Sequence, residues 1–341
     1  MSTEFLDPFV DMLRDHVPGT AIRESERALQ PPELWQAIAD SGFVNALVSE
    51  ERGGAGLSPA DVQPLIVACG EYLLPPAFGH TMVARMLIAS AGCDLPGDPI
   101  ILWPQTPDGR LRSLVAPAAC EAALALVQCG DAFALRHLVA TPQFEDGFGL
   151  VTTALEGGPP LFEFTIPGVD LMDIAAALTA CAMVGAMSRM LGVTLEHANE
   201  RQQFGRPLGR FQAIQHQLAV AAEQVALAGV AARGPFVDGV AGFDPVRVAI
   251  AKTVANQSAE VLCAVAHSVH GAIGISEEYE LQLYSRRVRR WQQSFGSDAF
   301  WARRVGATRL ADPSSSVVDF LRAIQVGSTF CQALPGEESP L

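Results

Sequence analysis

Lysine is almost missing from the 341 residues: Lys252 stands alone, and arginine carries the remaining fixed positive charge. That bias fits a GC-rich coding sequence and decides nothing about fold. Positive charge as a whole is scarce, 23 Lys+Arg against 37 Asp+Glu, for a net charge of −14. A chain with that balance is not built to neutralise a phosphate backbone, which argues against a nucleic-acid binder. The seven cysteines, at 69, 93, 120, 129, 181, 263 and 331, form no CxxC pair and no metal-like spacing. Several fall in apolar runs, where a free thiol behaves as a small hydrophobe. The first residues include Glu4, Asp7 and Asp11, the reverse of a basic leader, so a cytoplasmic location is expected. The most apolar stretch, Ile174–Met187, is short for a bilayer and runs into Arg189, so no membrane span is expected. No internal repeat or low-complexity stretch stands out.

What is present is a globular composition, 49% hydrophobic and 18% charged, with a mean hydropathy of +0.24. At roughly 100–200 residues per domain, the length suits about two domains with real cores. Charge is unevenly placed. Residues 1–170 carry 8 Arg against 22 Asp+Glu, whereas residues 171–341 carry 15 of each sign. An anionic ligand therefore belongs with the second half.

Three textures divide the chain into an N-terminal helical domain (1–95), a small β domain (96–170) and a C-terminal helical bundle (171–341). In the first, Pro32–Ser41 and Pro59–Leu74 have helical apolar spacing, with Ser58 as N-cap of the second and a Gly-rich loop, Glu50–Leu57, between them. In the second, Ile100–Trp103, Leu111–Ala116, Ala132–Ala140 and Leu161–Ile166 are short apolar runs between turn residues, which is strand texture. In the third, Ile174–Glu200 is so rich in Ala, Leu, Met and Val that it should be buried on most faces. Gln212–Ala232, Pro245–His270 (Asp244 as N-cap), Glu278–Gln293 and Asp298–Ala311 follow as helices, then a tail rich in Pro, Gly and Glu.

The most informative segment is Arg201-Gln-Gln-Phe-Gly-Arg-Pro-Leu-Gly-Arg-Phe-Gln212 and on to His216, a helix end, a Gly/Pro turn and a new helix start. Arginine forks suit phosphate oxygens, and glutamine amides suit ribose or ring acceptors. On residue chemistry alone it reads equally as a solvated loop with Phe204 and Phe211 as packing anchors. The run Arg286-Arg287-x-Arg289-Arg290 with Trp291 reads as a salt-bridged helix face or as a guard for an anionic ligand's phosphate. His267 and His270 lie three apart with no carboxylate at ligand spacing, so no metal is expected.

Three segments in order carry a family resemblance. Arg201–Gln215 resembles the flavin-contacting signature Arg-x-x-Phe-Gly-x-Pro-Leu…Phe-Gln of the acyl-CoA dehydrogenases. Ser268–Glu277 is similar to that family's Gln-x-x-Gly-Gly-x-Gly stretch, and Glu50–Leu57 to its N-terminal Glu-x-x-Gly-Gly-x-Gly-Leu loop. The resemblance implies a mainly α fold with a small β domain and a C-terminal four-helix bundle. It implies FAD as cofactor, an acyl-CoA thioester as substrate, and a second subunit beside the flavin. Carried over position by position, Arg201, Gln203, Phe204 and Gln212 would contact FAD, and Ser268, Val269, Gly271 and Ala272 would wall it. Ser268 replaces the usual glutamine and Ala272 the second glycine.

Two departures bear on activity. The family's Thr-Glu-Pro-x-x-Gly-Ser-Asp stretch has no counterpart between Asp98 and Asp170, and the register from Gly274 puts Phe295 where the catalytic glutamate belongs. The alternative base position falls near Ala175. Asp173, Glu277, Glu278 and Asp298 are the nearest carboxylates, read as caps and solvated faces. The resemblance is therefore to the shortened bacterial type that pairs with a homologous subunit, acting on bulky or steroid-derived thioesters. A homo-oligomer with other CoA chemistry, or a flavin-free structural subunit, are the alternatives, and the catalytic residue stays unassigned.

Overall fold

A computed structural model of the chain describes residues 4–17, 32–74, 77–104, 114–117, 124–145, 151–236, 243–311 and 316–326. Four helices come first: α1 (Leu6–His16), α2 (Pro32–Asp40), α3 (Pro59–Glu71) and α4 (Ala77–Ser90). Five strands follow: β1 (Ile100–Trp103), β2 (Leu114–Pro117), β3 (Leu124–Cys129), β4 (Ala132–Glu145) and β5 (Val151–Thr165). Then come α5 (Leu171–Glu200), a two-residue pair β6 (Gln202–Gln203) and β7 (Arg206–Pro207), α6 (Gln212–Arg233), α7 (Pro245–His270), α8 (Leu281–Gln293), α9 (Asp298–Ala311) and α10 (Val317–Val326).

Local chemistry explains the boundaries. Ser58 closes a capping box on α3, its hydroxyl accepting the Asp61 N–H while the Asp61 carboxylate accepts the Ser58 N–H. Asp244 caps α7 by accepting the Arg247 N–H at 2.9 Å, with Pro245 at the first helical position. Asp170 caps α5 through the Met172 N–H. The expected helix α5 begins three residues earlier than the apolar run suggests, and α10 occupies part of what reads as an irregular tail. Residues 111–113 of one expected strand, Cys120, and the tail from 327 on lie outside the described residues.

The sheet order is β1-β3-β4-β5-β2, parallel between β1 and β3 and antiparallel elsewhere. Side chains alternate across it as the pleat requires. Ile100, Leu102, Leu124 and Leu126 enter the main core, while Ile101, Trp103, Ala125 and Val127 form a separate cluster on the other face. Helix α4 is clipped to β1 by Thr81, whose hydroxyl accepts the Ile100 N–H at 2.8 Å, and by His80, whose Nδ1 accepts the Leu102 N–H at 3.4 Å. Gln128 joins β3 to α5, donating to Val169 O and accepting the Leu171 N–H.

Helix α5 is the axis of the molecule, with α3, α6, α7 and α8 packed around it. It and α7 are long and apolar enough to cross a membrane by length and composition, contrary to the expectation from Ile174–Met187 alone. The most apolar window of α5 is 83% buried inside the protein, the pattern of a core helix. Two glycines allow the α3–α5 approach: a Cβ on Gly185 would overlap Val67 O, and one on Gly70 would overlap Ala182 O.

Candidate functional site

Two places concentrate the residues singled out by sequence. The first is the end of the bundle where α5 and α7 finish and α6 begins. Ala198, Leu218 and Val269 form a small buried cluster there, joined by Ile214 and Val265. The rings of His197 and His270 stack at 4.3 Å, with Tyr279 5.0 Å from His270. This packing brings Arg201, the residue that ends α5, to the same end as Val269 and Gly271.

Above that cluster, β6 and β7 form a hairpin whose two loop residues, Phe204 and Gly205, have φ of +53 and +80. Arg201, Gln203 and Gln212 are exposed, and Phe204 is 91% exposed. The expectation of Phe204 as a packing anchor is therefore overturned; its ring meets that of Phe211 edge to face at 6.1 Å. Phe211 is the inward ring, covered by the Arg206 guanidinium at 4.1 Å. Of the expected wall, Ser268 ends α7 on its exposed side and Val269 is buried. Gly271, at φ +63, has no atom within 4 Å of where a side chain would begin, and Ala272 is exposed.

The donor set fits an anionic, aromatic group such as FAD: an arginine, two amides and an unsupported ring on one surface. One buried atom adds to this. His270 is 6% exposed, its Nδ1 pairs with Ala266 O at 2.8 Å, and its Nε2 has no partner among the described residues. Burial and the neighbouring histidines hold the His270 pKa below the ordinary imidazole value.

The second place is the corner expected to hold the catalytic base. Phe295 has φ +52, its carbonyl accepts the Trp301 Nε1–H at 2.8 Å, and its ring meets His80 edge to face at 5.6 Å. Gly296, at φ +96, lies against the Trp301 indole so closely that a Cβ would not fit. Beside them, α3, α4, α5 and α8 line a partly open recess of about 30 Å³, walled by Ile66, Cys69, His80, Thr179 and Trp291 among others. No carboxylate lines it.

The nearest acids are placed as follows. Asp173 is neither a cap nor solvated: it is buried and paired with Arg304 through two contacts of 2.5 and 3.2 Å. Burial and the Asp170 charge push its pKa up to about 7 against the pull of Arg304. Asp298 is exposed in the first turn of α9 beside Gln257, and Glu277 and Glu278 are exposed.

The basic run on α8 also departs from expectation. Arg287 and Arg290 are buried rather than on a solvated face, with Arg287 over the Trp291 ring at 5.5 Å. Neither salt bridging on an open face nor guarding a phosphate suits buried guanidinium groups. Lys252 is fully buried, donating to Asn256 Oδ1 at 2.7 Å and Trp291 O at 2.8 Å, and burial draws its pKa down to about 7. No group of three or more potential metal ligands occurs among the described residues. Sequence reasoning missed His80 and the cavity, because His80 sits in an apolar helix with no motif around it.

Residues 170–310 match the family model described as "Acyl-CoA dehydrogenase, C-terminal domain". The chain belongs to the acyl-CoA dehydrogenase family, whose members are oxidoreductases acting on CH–CH bonds. It is 30% identical over 264 residues to acyl-CoA dehydrogenase IpdE2 of Mycobacterium tuberculosis, covering 75% of this chain and 80% of that protein. It is 29% identical over 308 residues to IpdE2 of Mycolicibacterium smegmatis, covering 87% and 94%. Among solved structures, a Tcur3481–Tcur3483 steroid ACAD variant superposes with a TM-score of 0.77 at 22% identity, covering 91% of this chain and 98% of that one. One chain of the ChsE4–ChsE5 complex from Mycobacterium tuberculosis gives 0.76 at 17% identity, covering 92% and 99%. These likenesses establish the fold: mainly helical, with a small sheet between the helical parts.

Proposed function

We infer that the chain is the flavin-holding subunit of a two-subunit acyl-CoA dehydrogenase, cytoplasmic, built of the three domains expected from its sequence. Its substrate is a CoA thioester with a bulky, steroid-derived acyl group. The observation that carries the reading is the hairpin end of the bundle. There Arg201, Gln203 and Gln212 are exposed around Phe204, a phenylalanine held open on an unfavourable backbone. Such an arrangement is costly unless something binds it. Held by Arg201, Gln203 and Gln212, FAD would supply the hydride acceptor for the thioester β-carbon.

The chain's own residues divide the remaining work. The Arg201 guanidinium offers bidentate donors to a pyrophosphate, and the Gln203 and Gln212 amides offer donors and acceptors to sugar and ring edges. Val269, Gly271 and Ala272, with Ser268, supply the wall. At the other corner, the Phe295 ring excludes water but neither takes nor gives a proton, so the carboxylate that removes the α-proton comes from the partner. Kinship to chains seen as named pairs, Tcur3481–Tcur3483 and ChsE4–ChsE5, supports a homologous partner subunit.

The test is co-expression with homologous acyl-CoA dehydrogenase subunits from the same genome, read by flavin content and by thioester-driven reduction of an artificial electron acceptor. Flavin retained and turnover only in the paired form is the expected result. Robust turnover by the chain alone would overturn partner dependence and return Asp298 or Glu277 as base. No flavin in any form would mark a structural subunit.

A further inference from the structure

His80 stands on the wall of that partly open recess, 2% exposed, with Ile66, Leu74, Leu178 and Ala182 as its aliphatic company there. One ring nitrogen is engaged: Nδ1 accepts the Leu102 N–H at 3.4 Å. An imidazole that accepts at Nδ1 carries its proton on Nε2. Burial keeps this ring neutral, its pKa drawn down to about 3, so the Nε2–H form persists across physiological pH. Among the described residues no group receives that proton. The hydroxyl on the same wall, Thr179, is already committed to Ala175 O at 2.7 Å. A strong donor is thus left open in an apolar recess, one ring width from Phe295.

We propose that His80 selects the acyl group: its Nε2–H donates to a ketone or hydroxyl oxygen on the substrate, so the chain takes thioesters of oxygenated rather than purely hydrocarbon acids. The proposal rests on the reading above that the thioester reacts beside Phe295, which places its acyl group next to His80. The size of the recess agrees with it. About 30 Å³ accommodates one or two water-sized groups, enough for an oxygen-bearing tip. An acyl group with an acceptor at that point satisfies the donor, whereas one without it leaves a buried N–H unpaired, the arrangement that discriminates best between near-isosteres.

The test is calorimetric titration of the full chain, in complex with its partner where one co-purifies, with cyclohexanecarboxyl-CoA, its 3-oxo and 4-oxo derivatives, and CoA alone. At least one keto thioester should bind roughly three- to tenfold more tightly than the hydrocarbon one, the range expected for one neutral hydrogen bond. His80→Asn places an amide oxygen where Nδ1 lies, keeping the Leu102 contact while removing the donor, and should abolish the preference. His80→Gln places an amide N–H near the Nε2 position and should keep it. Equal affinity of the wild-type chain for all three thioesters, or a preference that survives in His80→Asn, would overturn the role of His80 and leave the acyl site standing. Thioesters that bind no more tightly than CoA would instead overturn the acyl-site reading, and this proposal with it.

Discussion

Phe204 and Phe295 share a backbone that L-residues avoid, with φ of +53 and +52, and each is followed by a glycine of positive φ. Their surroundings are opposite. Phe295 is held from all sides: Trp301 donates to its carbonyl, its ring packs on His80, and Gly296 lies under the Trp301 indole. Trp301 is held in turn by Arg304, whose guanidinium stacks at 5.0 Å and pairs with buried Asp173. Phe204 has a two-stranded hairpin beneath it and an edge contact with Phe211. A left-handed non-glycine residue costs about 1–2 kcal/mol. At 295 that cost is offset by packing within the chain; at 204, 91% exposed, the described residues bury little of the ring to offset it. Strain supported from inside reads as architecture, and strain left open reads as a place prepared for something outside the chain.

The largest expected effect lies on the supported side. Gly185→Ala drives a Cβ into the Val67 carbonyl, backbone against backbone, where no rotamer change relieves it. Overpacking of this kind costs about 1–3 kcal/mol and more where backbone must move, so a loss of about 3 kcal/mol is expected in urea unfolding. An unchanged midpoint would show that α3 and α5 are not held as tightly as this arrangement requires. On the open side, Arg201→Ala should leave unfolding unchanged, since the Arg201 side chain is exposed. It should weaken flavin retention by about 1.5–3 kcal/mol, the worth of a charge-assisted hydrogen bond. Wild-type FAD content after dialysis would remove Arg201 from the flavin site.

The hairpin end was legible in the sequence and the supported corner was not, for a physical reason. Exposed residues carry no packing constraint, so the chemistry of Arg201, Gln203, Phe204 and Gln212 stands out in a run, and the flavin contacts proposed for them were read from that run. Helix limits set by local caps, at Ser58 and Asp244, were readable too. The cavity is assembled from four helices distant in sequence, and its polar member, His80, is embedded in an apolar helix where burial rather than pattern defines its role. Asp173 and Arg287 were misjudged likewise. Their charges look solvated in a string, and only tertiary packing buries them.

Acid sharpens the contrast again. His80 has its pKa lowered from 6.5 to about 3, so the unfolded chain binds a proton that the folded chain refuses between those values. Its contribution is full above pH 6.5 and is lost as the pH falls toward 3, by up to about 1.4 kcal/mol per pH unit. Asp173 works in the other direction, its raised pKa favouring the fold as the pH drops from about 7. Stability of His80→Asn relative to wild type should therefore improve progressively from pH 6.5 downward. A constant difference across that range would mean the imidazole is reached by solvent and is not buried as described.

The smallest expected effect has the opposite sign to most substitutions, and it belongs to the open side. The Phe204–Gly205 loop joins β6 to β7 with two positive φ values, the pattern of a type I′ turn, for which Asn-Gly is the favoured pair. Asparagine tolerates the left-handed region where phenylalanine does not. Phe204→Asn removes a ring that is 91% exposed and contributes little burial to the fold. The variant should gain about 0.5–1 kcal/mol, part of the left-handed cost, seen as a rise in Tm of about 1 °C. The same variant should hold flavin or partner less well, because the ring that made the turn unfavourable is gone. A gain in stability with retention unchanged would show that Phe204 serves nothing outside the chain. A loss of stability would show that the turn is supported by contacts of Phe204 that its exposure does not reveal.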